Sequence, residues 1–482
     1  MGIYRDLGRD FDEWFDWIVR EAEIYDYGRY PVKGMGVWLP YGFKIRKFVI
    51  ELMRDLLDST GHEEILLPIL IPENILAKES EHVRGFEDQV YWVTHGGLTP
   101  LDIKLALRPT SETPLSYLES MWIKSYKQLP KKYYQVVSIF RYETAATRAM
   151  IRVREVTTFK EAHTLHATFE DSERQVEEAV AIYSKFFDEL GIPYLISKRP
   201  EWDKFPGAVY TIAFDTLMPD GKTLQIGTVH NLGRSFTIAF NVWVHMPDGS
   251  MDYGWQTSYG ISERVVASLI SIHGDSVGLR LLFKYAPIQV VVVPIPAGPE
   301  ELRSKIVETC MEVTEKLKAS GIRVTVDLRE DMTPGDKFYY WERRGVPLRV
   351  EVGPREVQSG TVTVVRRDDR SRTTVSLDSL AKSVAEIGQA YDEAIRREAT
   401  EAFSKHVARV STVEEGARVI SEGGIAELPW CGKVSCAVEM EGRVGGKALG
   451  TPLKTDESSV RGLRCAYCGS EARTFMRYSR RY

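Results

Sequence analysis

The sequence predicts a multidomain protein that combines an α+β region, an α/β region and a small metal-binding region. Its 482 residues exceed what one ordinary core accommodates, so two to four domains are expected. Strand-like runs follow one another before residue 285, whereas strands and helices alternate after Pro287. Four of the five cysteines lie between positions 431 and 468. These observations predict domains at 1–285, 286–400 and 401–482.

The composition is typical of a well-packed globular protein, with 43% hydrophobic and 11% aromatic residues. No apolar run approaches the roughly 20 residues that cross a bilayer, and the acidic, aromatic N-terminus is unlike a secretory signal. We therefore expect a soluble, cytoplasmic protein with no membrane partner. The formal net charge of −5 does not by itself indicate nucleic-acid binding, although arginines cluster locally.

The first region predicts helices packed on a large antiparallel sheet. Apolar residues recur at helical spacing over residues 42–58, and Gly61 can end that helix. A strand containing Pro68 is expected next, over residues 64–72. Further strand-like runs begin at residues 134, 208, 224 and 234, the last covering 234–244. Several long strands in succession are typical of antiparallel sheets.

The second region predicts an α/β domain with a mostly parallel or mixed sheet. The run IQVVVVPI suits a strand that is buried on both faces, and a helical stretch follows it over 299–319. Strand and helix patterns continue to alternate up to residue 365. A long amphipathic helix is expected from about Leu377, and the glycine-rich, cysteine-bearing remainder is expected to form a third small domain.

The clustered cysteines predict a zinc site. They form two close pairs, with spacings of the kind that brings four thiolates onto one Zn²⁺. Two disulfides are the alternative, although disulfides are rare in cytoplasmic proteins. Four thiolates would leave no coordination position open, which favours a structural role. The predicted ligands are Cys431, Cys436, Cys465 and Cys468.

A charged hairpin around FRYE is the first candidate for nucleotide binding. Arg141 and Glu143 end an apolar strand, Arg152 follows in the loop, and Phe159 lies on the return strand. Arginine pairs with phosphate through several donors, a carboxylate can face an adenine amine, and an aromatic ring offers a stacking surface. Cross-strand ion pairs explain the same residues without a ligand.

The segment SYGISERVVASLISIHGD is the second candidate. Ser258 and Ser262 lead from a strand into a helix whose apolar positions are predicted core. Arg264 lies in the first turn, where the helix dipole favours anions over cations. An arginine fits there if both it and the helix terminus meet a polyanion. A solvent-exposed arginine is the alternative.

These segments together resemble a known family. Pro68 after a long helix, the FRYE hairpin and the GISER helix are similar to motifs 1, 2 and 3 of class II aminoacyl-tRNA synthetases. RPTSE (108–112), LQIGTVHNLG (224–233) and the segment 334–356 resemble prolyl-tRNA synthetases more specifically. The cysteine-bearing C-terminus that ends in Tyr482 is similar to the archaeal and eukaryotic type. The resemblance covers essentially the whole chain.

The resemblance implies an enzyme that activates L-proline with ATP and Mg²⁺ and esterifies it to tRNA(Pro). Its catalytic residues would be Arg141 and Arg264. Gln225 would lie near ATP and close to Mg²⁺. The ATP-binding residues would be Arg141, Glu143, Arg152, Phe159, Gln225, Thr228, Ser262 and Arg264. The proline-binding residues would be Thr110, Glu112, Arg141, His163, His230 and Ser258. Lys337, Glu342 and Arg349 would contact the tRNA anticodon.

The resemblance also implies a homodimer, because motif 1 forms a dimer interface in this family. Fewer than 100 residues separate His163 from Gly260, so we expect no internal editing domain. One departure is that the hairpin return, REVTTFKEAH, is one residue longer than the corresponding segment of eukaryotic members.

Three other interpretations compete with this one. A class IIa enzyme for threonine, glycine or histidine would share the same body, but RPTSE and the thiolate-rich tail argue against it. A non-catalytic synthetase-like protein would be expected to lose phosphate-binding arginines, which are present here. A zinc hydrolase needs an open ligand position, and the four predicted thiolates leave none.

Overall fold

An 11-stranded sheet organises the first region of the chain. The structure is a computed structural model that describes residues 2–78 and 87–482. The strands of the first region are β1 (Tyr25–Tyr27), β2 (Gly36–Trp38), β3 (Glu63–Glu64), β4 (Leu70–Pro72), β5 (Tyr91–Gly96), β6 (Thr99–Leu107), β7 (Lys131–Phe140), β8 (Glu155–His166), β9 (Leu195–Lys198), β10 (Tyr210–Leu217), β11 (Lys222–Gly233), β12 (Trp243–His245), β13 (Met251–Tyr253) and β14 (Trp255–Ile261). Its helices are α1 (Phe11–Glu21), α2 (Pro40–Asp58), α3 (Glu73–Leu76), α4 (Glu112–Trp122), α5 (Phe169–Glu189), α6 (Ser235–Phe240) and α7 (Arg264–His273).

The central strands are antiparallel and neighbour one another in the order β9-β10-β11-β14-β8-β7. Helices α5 and α7 pack on this sheet, and α2 packs against both of them. The contact is close at Gly227 on β11, where a Cβ atom would lie 3.1 Å from the Tyr183 ring. Because side chains alternate across a strand, covering one face with helices leaves the other face available for a site.

Two of the predicted elements are wrong. The strand expected over 64–72 is interrupted, because β3 and β4 lie on either side of Pro68, which has no N–H to donate. The run 234–244 is not one strand, because residues 235–240 form helix α6 and only 243–245 pair as β12. Asn241 ends the helix in the left-handed conformation, with φ 55°. The helix expected over 42–58 is confirmed as α2.

The α/β region contains a five-stranded mixed sheet, as predicted. Strands β16, β15 and β17 are parallel, and β18 and β19 add to them in antiparallel fashion. These strands are β15 (Val290–Pro294), β16 (Val324–Val326), β17 (Leu348–Val352), β18 (Thr361–Arg366) and β19 (Arg372–Ser376). The helices are α8 (Glu300–Ala319), α9 (Pro334–Arg343), α10 (Pro354–Ser359) and α11 (Leu380–Lys405). A two-point ion pair between Arg367 and Asp275, with N···O distances of 2.7 and 2.8 Å, connects this region to the end of α7.

The C-terminal region shares the large sheet with the first region. Strand β22 pairs with β9, and β23 runs beside β11. The boundary expected at residue 400 falls inside helix α11. The strands are β20 (Val407–Arg409), β21 (Ile425–Trp430), β22 (Lys447–Pro452) and β23 (Thr474–Arg481), and the helices are α12 (Val413–Ser421), α13 (Val434–Val444) and α14 (Glu457–Val460). The end of the chain therefore reaches the central strands.

Within residues 2–78 and 87–482, we find no helix that is long and apolar enough to cross a membrane. The cytoplasmic location stays a prediction.

Gly450→Ala is expected to loosen the junction between β22 and β9. Gly450 has φ +115°, and a Cβ atom there would lie 2.1 Å from the backbone oxygen of Lys198. We expect a loss of about 1–3 kcal/mol, measured as a lower Tm in calorimetry. Gly442→Ala is the matched control, because Gly442 lies in the exposed part of α13 with open space around it. That control should keep the Tm or raise it slightly, and an unchanged Tm for Gly450→Ala would contradict the packing at this junction.

Candidate active site

A cavity of about 570 Å³ lies on the face of the sheet opposite α5 and α7. Strands β7, β8, β10, β11 and β14, the hairpin loop and the start of α7 all contribute to its wall. Twelve of the predicted site residues line it. They are Thr110, Glu112, Arg141, Glu143, Arg152, Phe159, Gln225, Thr228, His230, Ser258, Ser262 and Arg264. Thr110 and Arg264, which are 154 positions apart in the chain, thus share one cavity, as a regular antiparallel sheet permits.

Carboxylates form one end of the cavity. Glu112 accepts hydrogen bonds from the hydroxyls of Thr110 (2.5 Å) and Ser258 (2.9 Å). Glu161 also lines the wall, although the sequence analysis did not identify it. It accepts hydrogen bonds from the Ser111 hydroxyl (2.5 Å) and the Gln135 amide (2.8 Å). Both carboxylates are almost fully buried, so this end favours a small cationic group.

His163 lies behind these carboxylates, and the cavity wall does not include it. Its Nε2 atom is 3.4 Å from Glu161 and its Nδ1 atom is 3.9 Å from Glu112. Burial disfavours the imidazolium, yet the carboxylates of Glu161 and Glu112 raise the pKa of His163 above its ordinary value. Burial alone would raise the pKa of Glu161, but the interaction with His163, with help from Ser111 and Gln135, lowers it to about 2. His163 therefore neutralises part of the carboxylate charge.

His230 is a neutral polar group in the wall near Glu112. Burial lowers the pKa of His230 to about 4. Thr211 and the ring nitrogen Nδ1 of His230 are 2.8 Å apart and share a hydrogen bond. The ring of Phe205 packs on His230 with a centroid distance of 4.6 Å. This second ring, in the loop before β10, was not identified from the sequence.

Arginines form the other end of the cavity. The pKa of Arg264 is lowered to about 10. Burial is the main cause, and the nearby cations of Arg141, Arg152 and Arg481 contribute to the decrease. Arg264 donates to the backbone oxygen of Ile151 at 2.8 Å. A buried arginine with three further arginines near it is typical of a site for a polyanion. The alternative of a solvent-exposed Arg264 is wrong, because the residue lines the cavity.

Arg481 reaches this cavity from the far end of the chain. It lies at the end of β23 and pairs with Asp203 at 2.7 Å. In the sequence it is one of four arginines in the last ten residues. No local signal places it at the site, because the placement depends on the pairing of β23 with β11.

The hairpin residues lie between the two ends. Arg141 donates to the backbone oxygen of Pro109 at 3.1 Å, and its guanidinium carbon is 5.7 Å from the centre of the Phe159 ring. Glu143 accepts from the Ala145 amide at 3.0 Å. The cross-strand ion pair that the sequence allowed is long, at 4.0 Å between Glu143 and Arg152. Glu143 and Arg152 therefore interact only weakly with each other, and both remain available to a ligand.

Gln225 is held by Arg199, a buried residue that the sequence analysis did not single out. The Arg199 guanidinium donates to the side-chain oxygen of Gln225 (2.8 Å) and to Asp215 (2.7 Å). A Mg²⁺ ion on that oxygen would lie beside the Arg199 cation, which disfavours it there. Carboxylates are the usual protein ligands of Mg²⁺. In the described part of the chain, the only potential metal-binding clusters are the four cysteines and the group Glu112, Glu161 and His163.

The four predicted cysteines converge at the end of the chain. Their Sγ atoms lie within 4.8 Å of one another. Cys431 Sγ is 3.7 Å from Cys436 Sγ and from Cys468 Sγ. A tetrahedral site with Zn–S bonds of about 2.3 Å separates neighbouring sulfurs by about 3.8 Å. The geometry fits Zn²⁺, and all five cysteines are free thiols, so the disulfide alternative is wrong.

The comparisons with known proteins agree with this geometry. The protein-family model described as "tRNA synthetase class II core domain (G, H, P, S and T)" matches residues 91–273. "Anticodon binding domain" matches 289–387, and "Prolyl-tRNA synthetase, C-terminal" matches 413–482. Among relatives, the proline–tRNA ligases of Aeropyrum pernix and Sulfurisphaera tokodaii are 59% and 55% identical, and each alignment covers 98% of both chains. The chain belongs to the proline–tRNA ligase family.

A solved structure supports the same conclusion. Giardia lamblia prolyl-tRNA synthetase in complex with prolyl-adenylate has a TM-score of 0.96 and 35% identity, with all of both chains covered. The fold is therefore that of a class II synthetase with an anticodon-binding domain and a C-terminal domain. As a proline–tRNA ligase, the enzyme is an aminoacyl-tRNA synthetase.

The candidate anticodon residues of this proline–tRNA ligase are engaged in contacts within its own domain. Lys337 is only 5% exposed and donates to the backbone oxygen of Asp327 at 3.0 Å. Arg349 pairs with Glu342 at 2.9 Å and lies 3.8 Å from the centre of the Phe338 ring. Their role toward tRNA stays a prediction.

Cys436→Ser is expected to remove zinc from this ligase and lower its Tm, because the free energy of metal binding contributes to folding. Elemental analysis of the purified protein should find about one zinc per chain in the wild type. Cys310→Ala is the matched control, since Cys310 lies in the core of the α/β domain, away from the other cysteines. It should keep full zinc content. Zinc-free wild-type protein with an unchanged Tm would contradict a structural site.

Proposed function

We propose that the enzyme activates L-proline with ATP to form prolyl-adenylate in this cavity and then transfers proline to the 3′ end of tRNA(Pro). The position of Arg141 carries the proposal. Its guanidinium is influenced by Glu112 and Glu161 at one end of the cavity and by Glu143 near the other end. The Arg141 cation also contributes to the lowered pKa of Arg264, so the two guanidinium groups lie near each other. One side chain can thus contact both a carboxylate and a phosphate.

The reaction needs no covalent intermediate with the protein. A carboxylate oxygen of proline attacks the α-phosphorus of ATP, and the bond from that phosphorus to the bridging oxygen breaks. The electron pair leaves on pyrophosphate. Arg141 stabilises the charge that develops at phosphorus, while Arg152 and Arg264 hold the outer phosphates and balance the charge of the leaving group. Positioning and electrostatics carry such a reaction.

Proline would occupy the carboxylate end. Glu112 would bind the cationic imino group of proline. Thr110 and Ser258 would orient the Glu112 carboxylate through their hydrogen bonds to it. Neutral His230 would form part of the wall. His163 would act from behind, by neutralising Glu161, so that the carboxylates do not repel one another. The pocket selects the imino acid by charge and size.

Adenosine would occupy the middle of the cavity. Phe159 would stack on the base and Glu143 would accept from its amine, with Gln225, Thr228 and Ser262 lining the nucleotide region. Phe159 packs over Gly260, where a Cβ atom would lie 3.3 Å from the ring. Mg²⁺ would be held mainly by the phosphates of ATP, which it partly neutralises, because Gln225 is already bonded to Arg199.

Transfer RNA would bind the α/β domain at 286–400, with Lys337, Glu342 and Arg349 as candidate contacts. Tyr339 adds an exposed ring next to them, on which a splayed base could stack. The zinc domain, at 401–482, would have a structural role.

We also propose that the enzyme is a homodimer. Support comes from exposed apolar side chains in and after motif 1, since a monomer rarely leaves such a group in water. Leu66 is 79% exposed and Leu98 is 99% exposed. Ile69, Leu70 and Trp92 are further exposed members.

The proposed function is tested by ATP–pyrophosphate exchange with each of the twenty amino acids in the absence of tRNA. Proline should lead, with weaker exchange for alanine and cysteine, because small apolar differences discriminate poorly. Glu112→Gln should raise the KM for proline about tenfold or more and leave the KM for ATP unchanged. Exchange led by threonine, glycine or histidine would contradict the assignment of Glu112 and His230. Exchange with no amino acid by zinc-loaded protein would favour a non-catalytic role.

We propose that the chain has no editing domain. Strands β9 to β14 and helices α5 and α6 occupy most of the interval between His163 and Gly260, which supports this view. The purified enzyme should therefore leave alanyl-tRNA(Pro) intact over the time in which a separate editing hydrolase deacylates it. Rapid hydrolysis by the enzyme alone would contradict the proposal.

A further inference from the structure

The return strand of the hairpin contains a β-bulge at Thr157 and Thr158. On strand β8, Phe159 pairs with Val137 of β7, whereas Val156 pairs with Ile139. Two residues of β8 thus lie opposite a single residue of β7, which defines a bulge with one extra residue.

The bulge sets the direction of the side chains that follow it. Side chains on one face of a regular strand are two or four residues apart. Val156 and Phe159 are three apart, yet both line the cavity, and Glu161 lines it as well. Without the bulge, Phe159 and Glu161 would turn toward the helices on the other face. The extra residue therefore has to be held in place for the site to form.

Glu263 holds the bulge. One of its carboxylate oxygens accepts hydrogen bonds from the Thr157 amide (3.0 Å), the Thr157 hydroxyl (2.8 Å) and the Thr158 amide (3.2 Å). Arg46 of α2 lies beside it and donates to the Thr158 hydroxyl and to the Thr157 backbone oxygen. A carboxylate that accepts several N–H bonds forms stronger bonds than a neutral acceptor does.

The position of Glu263 is unusual for an acidic residue at the start of a helix. It is the N-cap residue of α7, but its side chain makes no capping bond to that helix. It is 1% exposed, and its second carboxylate oxygen is buried without a hydrogen-bond partner among the described residues. Burial, only partly offset by the Thr157 and Thr158 bonds and by Arg46, raises the pKa of Glu263 to about 7. The hydrogen bonds of this buried carboxylate thus go to two residues of a neighbouring strand, although its burial is energetically costly.

We infer that Glu263 is a positioning residue for the nucleotide: it fixes the bulge at Thr157 and Thr158 and thereby holds Phe159 in place to stack on adenine. Glu263 directly precedes Arg264, so the same turn that presents the phosphate-binding arginine also aligns the base-stacking ring. The inference rests on the proposed adenine-binding role of Phe159.

The test is a double-mutant cycle in ATP–pyrophosphate exchange at saturating proline. Phe159→Ala alone should raise the KM for ATP about tenfold, because stacking on the base is lost. Glu263→Ala should raise the KM for ATP by a similar factor and the KM for proline by a smaller one, since Glu161 at the carboxylate end also follows the bulge. Glu263→Gln, which keeps an acceptor oxygen and removes the charge, should have a smaller effect of about threefold. It remains informative if Glu263→Ala does not fold.

The decisive measurement is the double variant. If Glu263 acts through Phe159, adding a Glu263 substitution to Phe159→Ala should change the KM for ATP little further. Asp392→Asn is the matched control, because Asp392 is also a buried carboxylate that accepts two backbone amides, from Phe283 and Lys284. It should lower the Tm without changing the KM for ATP.

The possible results are distinguishable. An unchanged KM for ATP in Phe159→Ala overturns the adenine assignment and, with it, this inference. A raised KM in Phe159→Ala, together with an unchanged KM in both Glu263 variants, overturns the inference alone. Additive effects in the double variant, or an equal loss for ATP and proline, also overturn it, because they indicate a general structural role. A raised KM for ATP without additivity supports it.

Discussion

The balance of buried charge around Arg141 is the constraint on which the rest of the site depends. A buried guanidinium is costly unless opposite charges lie close to it. Glu112, Glu161 and Glu143 provide them. Arg264, by contrast, has mainly other cations near it, and its pKa falls to about 10. The cavity therefore has an excess of positive charge at one end and of negative charge at the other. A substrate pair with a cationic imino group and a polyphosphate relieves both.

A single sheet makes this arrangement possible. Its central strands deliver side chains to one face, while α2, α5 and α7 bury the other. The same sheet continues into the C-terminal region, so the domain that carries the four-cysteine cluster is hydrogen-bonded to strands of the cavity. Arg481 reaches the arginine-rich end of the cavity by this route. The anticodon-binding domain is joined more locally, through Arg367 and Asp275 at the end of α7. Arg264 begins that helix and lines the cavity. The start of α7 thus contributes to the cavity, and the segment after its end contacts the anticodon-binding domain.

Much of the site could be predicted because it follows from short motifs. Arg141, Glu143 and Arg264 occur in segments whose residue types match phosphate and adenine chemistry, and all line the cavity. Glu161 was missed because a charged residue inside an apolar strand has no local mark of its direction. The run 234–244 was assigned wrongly because apolar residues in a short segment suit a helix and a strand alike. The tRNA contact of Lys337 stays a prediction, and its buried ammonium donates to the backbone oxygen of Asp327.

The sequence by itself determined the domain order, the cysteine cluster and the family, because each depends on spacing along the chain. The tertiary structure alone decided which face each strand residue occupies, since one bulge at Thr157 and Thr158 reverses the alternation that follows. It also decided that His163 lies behind the wall and that Arg481 lies within it. The physical reason is that these placements depend on strand register and on pairing between distant segments. Neither is encoded in the local pattern of residues.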